Sequence, residues 1–328
     1  MSLQRNLLKM ANNQPQVEVL LSAFNGEKFL REQLDSILNQ SFRDWRLLAR
    51  DDGSTDATPS ILAEYAAREP GRIVVLKDED NNIGISASFS RLMSRSSAGH
   101  LMFSDQDDIW LPQKMELTLR NMQELEQIYG VQTPLLVHSD MKVIGEDARP
   151  VADSFWNYQH LRPEIGQKWT RLLVQNTVTG CAMMVNRALN NLALPIPEEA
   201  IIHDWWLALA AAAFGRIRAL PDKTALYRQH GGNAVGAKEW NLGFIVRRAG
   251  EVFKRRWTKK ESLLAPSIRQ SRAFLARYEG RLDQRAGDIL RGYHGLKSMG
   301  VFRQRIFLAQ NEILKTGWIR NIGLFLEI

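Results

Sequence analysis

Residues 17–104 alternate short apolar runs with longer segments of helical spacing, and this alternation restricts the fold more than any other feature of the chain. The runs are VEVLLS (17–22), WRLLAR (45–50), RIVVLK (72–77) and HLMFS (100–104). Between them, Phe29, Leu30, Gln33, Leu34, Ile37 and Leu38 make one helical stripe, and Ile61, Leu62, Tyr65 and Ala66 make another. Strand–helix–strand order with short connections predicts an α/β fold built on a doubly wound, mostly parallel sheet. Such sheets bind ligands beyond the C-terminal ends of their strands. Three polar clusters occupy those ends: SAFN (22–25), RDDGSTD (50–56) and SDQDD (104–108). All three are expected to face one crevice.

The pattern continues less regularly. LLVHSDMKVI (135–144) predicts another strand, and NTVTGCAMMVNR (176–187) a turn and strand. HDWWLALAAAAFG (203–215) predicts a helix ended by Gly215, and KTALYRQHGGNAVG (223–236) a strand running into a glycine-rich loop. The charge divides the chain. Residues 237–328 hold 19 Lys and Arg against 8 Asp and Glu, whereas residues 1–236 hold 24 against 28. We therefore expect an N-terminal extension (1–16), one large domain (17–236) and a basic, mainly helical C-terminal region (237–328). No run approaches the roughly 18–20 apolar residues of a membrane-spanning helix. The first residues lack the apolar stretch of a secretory signal. The single cysteine, Cys181, excludes an internal disulfide framework and suits a reducing cytosol, so a cytoplasmic location is expected.

Two clusters carry chemistry. At a strand end, alternate side chains of Asp105-Gln106-Asp107 point to one side and bring two carboxylates within reach of one cation. A hard divalent ion, Mg²⁺ or Mn²⁺, accepts such carboxylates and completes its shell with phosphate and water. The competing reading is a solvated acidic turn, with Asp108 capping a helix from Leu111. In RDDGSTD, Gly53 permits a turn and Asp56 can cap a helix at Ala57. Two adjacent aspartates exceed what the turn needs, and a carboxylate there can accept the imide N–H of uracil or thymine.

Taken in order, SAFNGEKFLREQLDSILNQSF, RDDGSTD, NNIG and SDQDDIWLPQKM resemble the family 2 inverting glycosyltransferases, which have the A-type glycosyltransferase fold. The resemblance covers roughly residues 17–236. HDWW and YRQHGGNAVG are similar to the bacterial rhamnosyltransferase-type enzymes of lipopolysaccharide and other surface-polysaccharide synthesis. The resemblance implies a nucleoside-diphosphate sugar donor (dTDP or UDP) and a glycan or lipid-linked acceptor, with rhamnose as the sugar. It implies nucleotide binding by Ser22, Phe24, Asn25, Asp51, Asp52, Asn82, Gly84 and Asp105. It further implies metal binding by Asp105, Asp107 and His230, and Asp204 as general base. Gly180, Trp205 and Trp206 would line the acceptor. Two departures stand out: His203 replaces the glutamate that usually precedes the base, and Phe89 and Ser90 replace an arginine and an asparagine after NNIG.

Each aspartate also has a plainer role open to it. Asp204 could simply cap its helix, where the dipole would make it a weaker base. Cys181 and His138 are expected in the core. LGFIVRRAGEVFKRRW (242–257) has a basic amphipathic pattern that suits an anionic membrane interface, and 301–328 repeats it with Phe302, Ile306, Ala309 and Ile313. That pattern equally suits a packed helical subdomain. It fits a nucleic-acid phosphate stripe poorly, because basic and apolar residues interleave. A nucleotidyltransferase is the rival enzyme class, disfavoured because SAFNGEKF offers one glycine and no phosphate loop.

Overall fold

The computed structural model describes residues 15–77, 80, 82–232 and 264–328. Its sheet has nine strands in the order β3-β2-β1-β4-β8-β6-β9-β5, with β7 paired to β6. The strands are β1 (Val17–Ala23), β2 (Trp45–Asp51), β3 (Ile73–Val75), β4 (His100–Ser104), β5 (Ile109–Trp110), β6 (Leu135–Ile144), β7 (Pro150–Ala152), β8 (Met183–Asn186) and β9 (Arg216–Arg228). In the first half β1 is parallel to β2 and β4, and β2 to β3. The second half is mixed: β8 runs against β4 and β6, while β6 and β9 are parallel. The expected α/β architecture is present.

β1 is apolar throughout because both faces of the sheet are covered. Val17, Val19 and Leu21 face one core with helices α1 (Leu30–Leu38), α2 (Thr58–Arg68) and α4 (Lys114–Tyr129). Leu20 faces the other core with α3 (Ile85–Arg95). α5 (Phe155–Tyr158) joins the first core through Phe155 and Trp156. The second core is completed by α6 (Trp169–Leu172) at its rim, then α7 (Arg187–Ala193) and α8 (His203–Phe214). Trp206 of α8 meets Phe274 edge-on and stacks against Tyr278, both of α9 (Ala265–Tyr278). Tyr293 of α10 (Gln284–His294), Leu308 of α11 (Val301–Gln310) and Leu324 of α12 (Trp318–Glu327) are buried in the same core. The C-terminal helices are thus continuous with the sheet's packing.

Register builds the crevice. Ala23 pairs with Asp51 and Leu21 with Ser104, so β1 and β2 end together and β4 ends two residues short of them. The expected convergence of the three polar clusters follows from this alignment. The SDQDD turn then joins β4 to β5, four places away in the sheet. A flat sheet would separate these strands by about 19 Å, whereas five Cα steps reach at most about 18 Å when fully extended. The second half must therefore curl back, which carries the end of β9 over the acidic turn.

Candidate active site

The first two clusters hold each other. Asp51 accepts from the Gly53 and Ser54 amides at 3.2 and 3.0 Å and from the Ser54 hydroxyl at 2.5 Å, closing its own turn. Its Oδ1, with one bond, retains room for a further donor. Asp52 Oδ1 accepts from the buried Arg50 guanidinium at 2.7 Å and the Ile83 amide at 3.0 Å, while Oδ2 accepts from the Gly84 amide at 2.9 Å. Asn82 donates its amide to the Asp52 carbonyl. The second aspartate of the pair thus holds the NNIG loop, where Gly84 takes the positive φ of 82° that starts α3. Asp52 Oδ2 retains room for one further donor. Asp56 Oδ1 accepts from the Thr58 amide as its helix begins, near the expected capping position.

Ser22 donates to Ser88 on α3 at 2.7 Å. Phe24 projects its half-exposed ring from the crevice edge, and its backbone is clamped by Gln106, whose amide accepts from Phe24 N–H at 2.8 Å and donates to Phe24 C=O at 3.0 Å. Asn25 sits at φ 48° and ties the first loop to Ser54 and Thr55. Gln106, the residue between the two aspartates, is a joint that the sequence did not reveal.

The acidic turn splits into two groups. Asp107 Oδ2 lies 2.8 Å from His230 Nε2. Ligand atoms of Asp105, Asp108 and Cys181 lie within 4.8 Å of one another. Asp108 is corrected from a helix cap: the helix begins at Lys114, and Asp108 is buried, accepting from the Arg228 amide at 3.1 Å. Its Oδ2 has no hydrogen-bond partner among the described residues. Burial, then the neighbouring carboxylates, pushes Asp105 well above its ordinary range, and Asp108 to about 7. Cys181, buried as expected, has its thiol pushed up by burial, so it is a poor thiolate ligand. His138 is also buried as expected, and burial lowers it to about 3.

Asp204 faces this cluster from α8, close enough for its charge to act on Asp105. It accepts from Asn176 Nδ2 at 3.0 Å and from the Gly180 amide at 2.9 Å. Burial raises it to about 7 against these hydrogen bonds, which lower it. Desolvation therefore outweighs stabilisation of the charged form. Gly180 is corrected from acceptor lining to a support for Asp204. A Cβ there would meet His203 Nε2 at 2.9 Å, so only glycine brings this amide so close. Trp206 is also corrected: it is fully buried, and its indole donates to Ala193 C=O at 3.0 Å. Trp205 is partly buried and donates to Leu172 C=O.

The two departures in the motifs turn out to touch. The His203 ring lies 4.2 Å from Phe89, tilted against it, and stacks on Phe103 at 5.5 Å between centroids. An aromatic packing unit stands where a glutamate and an arginine were expected, and burial lowers His203 to about 3, keeping it neutral. Lys114, Arg228 and Asn176 also escaped notice. Of these, Lys114 gave a faint signal, a lone charge closing DIWLPQK just before an amphipathic helix.

Aligned strand ends, an acidic turn and an opposing buried aspartate on this α/β sheet are the layout of the A-type glycosyltransferase fold. The family model described as glycosyl transferase family 2 matches residues 18–192, and the chain belongs to that family of glycosyltransferases. The dTDP-rhamnosyl transferase RfbG of Shigella flexneri is 28% identical over 252 residues, covering 74% of this chain and 81% of RfbG. EpsE of Bacillus subtilis (strain 168) is 31% identical over 139 residues, which is 42% of this chain. The chain matches only half of EpsE's own length. Among solved structures, S. aureus TarS 1-349 in complex with UDP-GlcNAc matches with a TM-score of 0.53 at 17% identity, over 95% of this chain and 90% of TarS 1-349. The mannosyltransferase PcManGT from Pyrobaculum calidifontis, in complex with GDP-Man and Mn²⁺, matches with a TM-score of 0.50 at 15% identity, over 95% of this chain and 85% of PcManGT. These two show the shared fold. Family membership sets aside the nucleotidyltransferase and non-catalytic readings.

Proposed function

We propose that the chain transfers a sugar, rhamnose, from a dTDP- or UDP-linked donor to a hydroxyl of a glycan or lipid-linked acceptor, with inversion. The observation that carries this is Asp204: buried, fixed by Asn176 and Gly180, raised to about 7, and facing Asp105. A base needs proton affinity near the working pH, and such help is typically worth ~10²–10⁴-fold. Asp204 takes the proton of the acceptor hydroxyl as its oxygen bonds the anomeric carbon and the bond to the diphosphate breaks. The nucleoside diphosphate leaves from the opposite face. Phe24 and the remaining acceptor site on Asp52 Oδ2 suit the base.

The donor set suits a hard cation: Asp105 and Asp107 would hold Mg²⁺ or Mn²⁺, with His230 beside Asp107 and the bare Asp108 Oδ2 within the cluster. When bound, the ion stabilises charge on the leaving diphosphate. Calorimetric titration of UDP and dTDP with Mn²⁺ or with EDTA tests the reading. Metal-dependent binding lost in an Asp105→Ala, Asp107→Ala variant is expected, with release of free nucleoside diphosphate on turnover. No binding of either nucleotide under any metal condition would refute it.

We place the enzyme in the cytoplasm, peripheral at the inner face of the membrane. Among the described residues no helix is long and apolar enough to cross a membrane. The 242–257 segment lies outside the described residues. In 301–328, Phe302 is 80% and Trp318 73% exposed, with Ile306 and Ile322 beside them in sequence at helical spacing, while Ile313 is buried. Exposed aromatics on a basic region suit anionic lipid. Sedimentation with phosphatidylglycerol vesicles is expected for the wild type. Unchanged sedimentation of a Phe302→Ser, Trp318→Ser variant would sink this placement.

A further inference from the structure

We propose that the Lys114 ammonium is a resident counter-ion of the acidic turn, holding metal affinity low until the donor diphosphate arrives. The proposal rests on the reading that Asp105 and Asp107 hold a divalent ion. Lys114 opens α4 and is 1% exposed. Its Nζ donates to Cys181 C=O at 2.8 Å and to Thr224 Oγ1 at 3.3 Å, and lies 4.7 Å from the centre of the Trp110 ring. Thr224 is itself hydrogen-bonded to Ser139 at 2.6 Å. The charge is therefore fixed by contacts from β5, β9 and the turn before β8, with Ser139 of β6 holding Thr224 in place.

Cys181, whose carbonyl Lys114 holds, has its Sγ in the acidic cluster, and the charge of Lys114 acts on Asp108 and Asp105 across it without a direct ion pair. Asp108, also 1% exposed, has one oxygen taken by the Arg228 amide and the other without a partner among the described residues. Its ligand atom lies within 4.8 Å of those of Asp105 and Cys181. A buried carboxylate with a bare oxygen is costly unless a countercharge is near. Lys114 supplies that charge without a metal, so the turn can fold empty. The same fixed charge opposes a dication in a low-dielectric site. A diphosphate adds negative charge and tips the balance, so metal and donor bind with positive coupling, which is reciprocal. Lys114 is then a positioning residue that acts through the carboxylates.

The test is Mn²⁺ titration of the full chain, wild type and Lys114→Met, with and without UDP or dTDP. Expected is Mn²⁺ binding without nucleotide that is tighter by about tenfold or more in the variant, with the nucleotide's enhancement of Mn²⁺ binding reduced. Unchanged or weaker binding by a folded variant overturns the proposal. Urea unfolding in EDTA gives a second readout on Lys114→Met, Asp108→Asn and the double variant. A counter-ion predicts that Asp108→Asn recovers stability lost in Lys114→Met. Equal loss in both backgrounds would mean that Lys114 serves only its two hydrogen bonds, and would overturn the proposal. Absence of Mn²⁺ binding by the wild type removes the metal reading itself, and the unfolding cycle still decides for or against the counter-ion.

Discussion

The aspartates of the parallel half and those of the mixed half live under opposite conditions. Asp51 and Asp52 are surrounded by donors: amides, a hydroxyl and a guanidinium satisfy them. Asp108 and Asp204 are buried and Asp105 is half-buried beside them, and desolvation raises all three. The first pair stabilises loops that shape a crevice. The second group costs stability and gains proton affinity and ligand demand in return. On the proposed function, the saturated carboxylates build the site and the desolvated ones would do its chemistry.

The strongest way to break this contrast is Asp204→Asn. Loss of ~10²–10⁴-fold in turnover, with nucleotide binding retained, is expected from initial rates and calorimetry. A loss below tenfold would return Asp204 to the role of a helix-end structural residue. Next comes Asp52→Ala, which removes the carboxylate paired with the buried Arg50 at 2.7 Å. Breaking a buried pair costs about 3–5 kcal/mol, to be read from urea unfolding. A variant as stable as wild type would mean that the NNIG loop does not depend on this anchor.

A pH experiment sharpens the comparison. Asp204 is raised to about 7 in the fold, so it favours folding while protonated and loses that contribution as pH climbs from about 4 through 7. His138 and His203, lowered to about 3, act with the opposite sign over about pH 3–6.5. Total stability is therefore the wrong observable. The difference between Asp204→Asn and wild type isolates the carboxylate, and should shift in the variant's favour by about 4 kcal/mol between pH 4 and 8. A pH-independent difference would contradict the raised affinity. Activity should rise over the same interval as Asp204 deprotonates.

Much of this was legible because strands announce themselves through apolar runs, and aligned ends follow from parallel pairing. HLMFS and LLVHSDMKVI match β4 and β6 residue for residue. The tryptophans of HDWW were harder. α8 is apolar almost all round, with Trp206 through Ala211 buried, so periodicity could not say which tryptophan faces inward. Lys114 and Thr224 meet across 110 residues, and His203 meets Phe89 across the sheet's second core. Such pairings depend on how the sheet curls, which no local pattern encodes. The structural duties of the adjacent aspartates were hidden for a related reason: one serves its own turn and the other a loop 31 residues on.

Asp51→Ala should have the smallest effect, and it probes the saturated half from the inside. The side chain receives two amides and one hydroxyl, all within its own turn. These groups lie where water can replace much of what is lost, so the cost is set by turn closure rather than by an abandoned buried charge. About 1–2 kcal/mol of stability should go, comparable to losing a helix cap. Nucleotide affinity should change by less than about threefold, since under 1 kcal/mol separates such constants. A larger fall in affinity at unchanged stability would give Asp51 a direct nucleotide contact, and the division between building and reacting carboxylates would then move one residue into the parallel half.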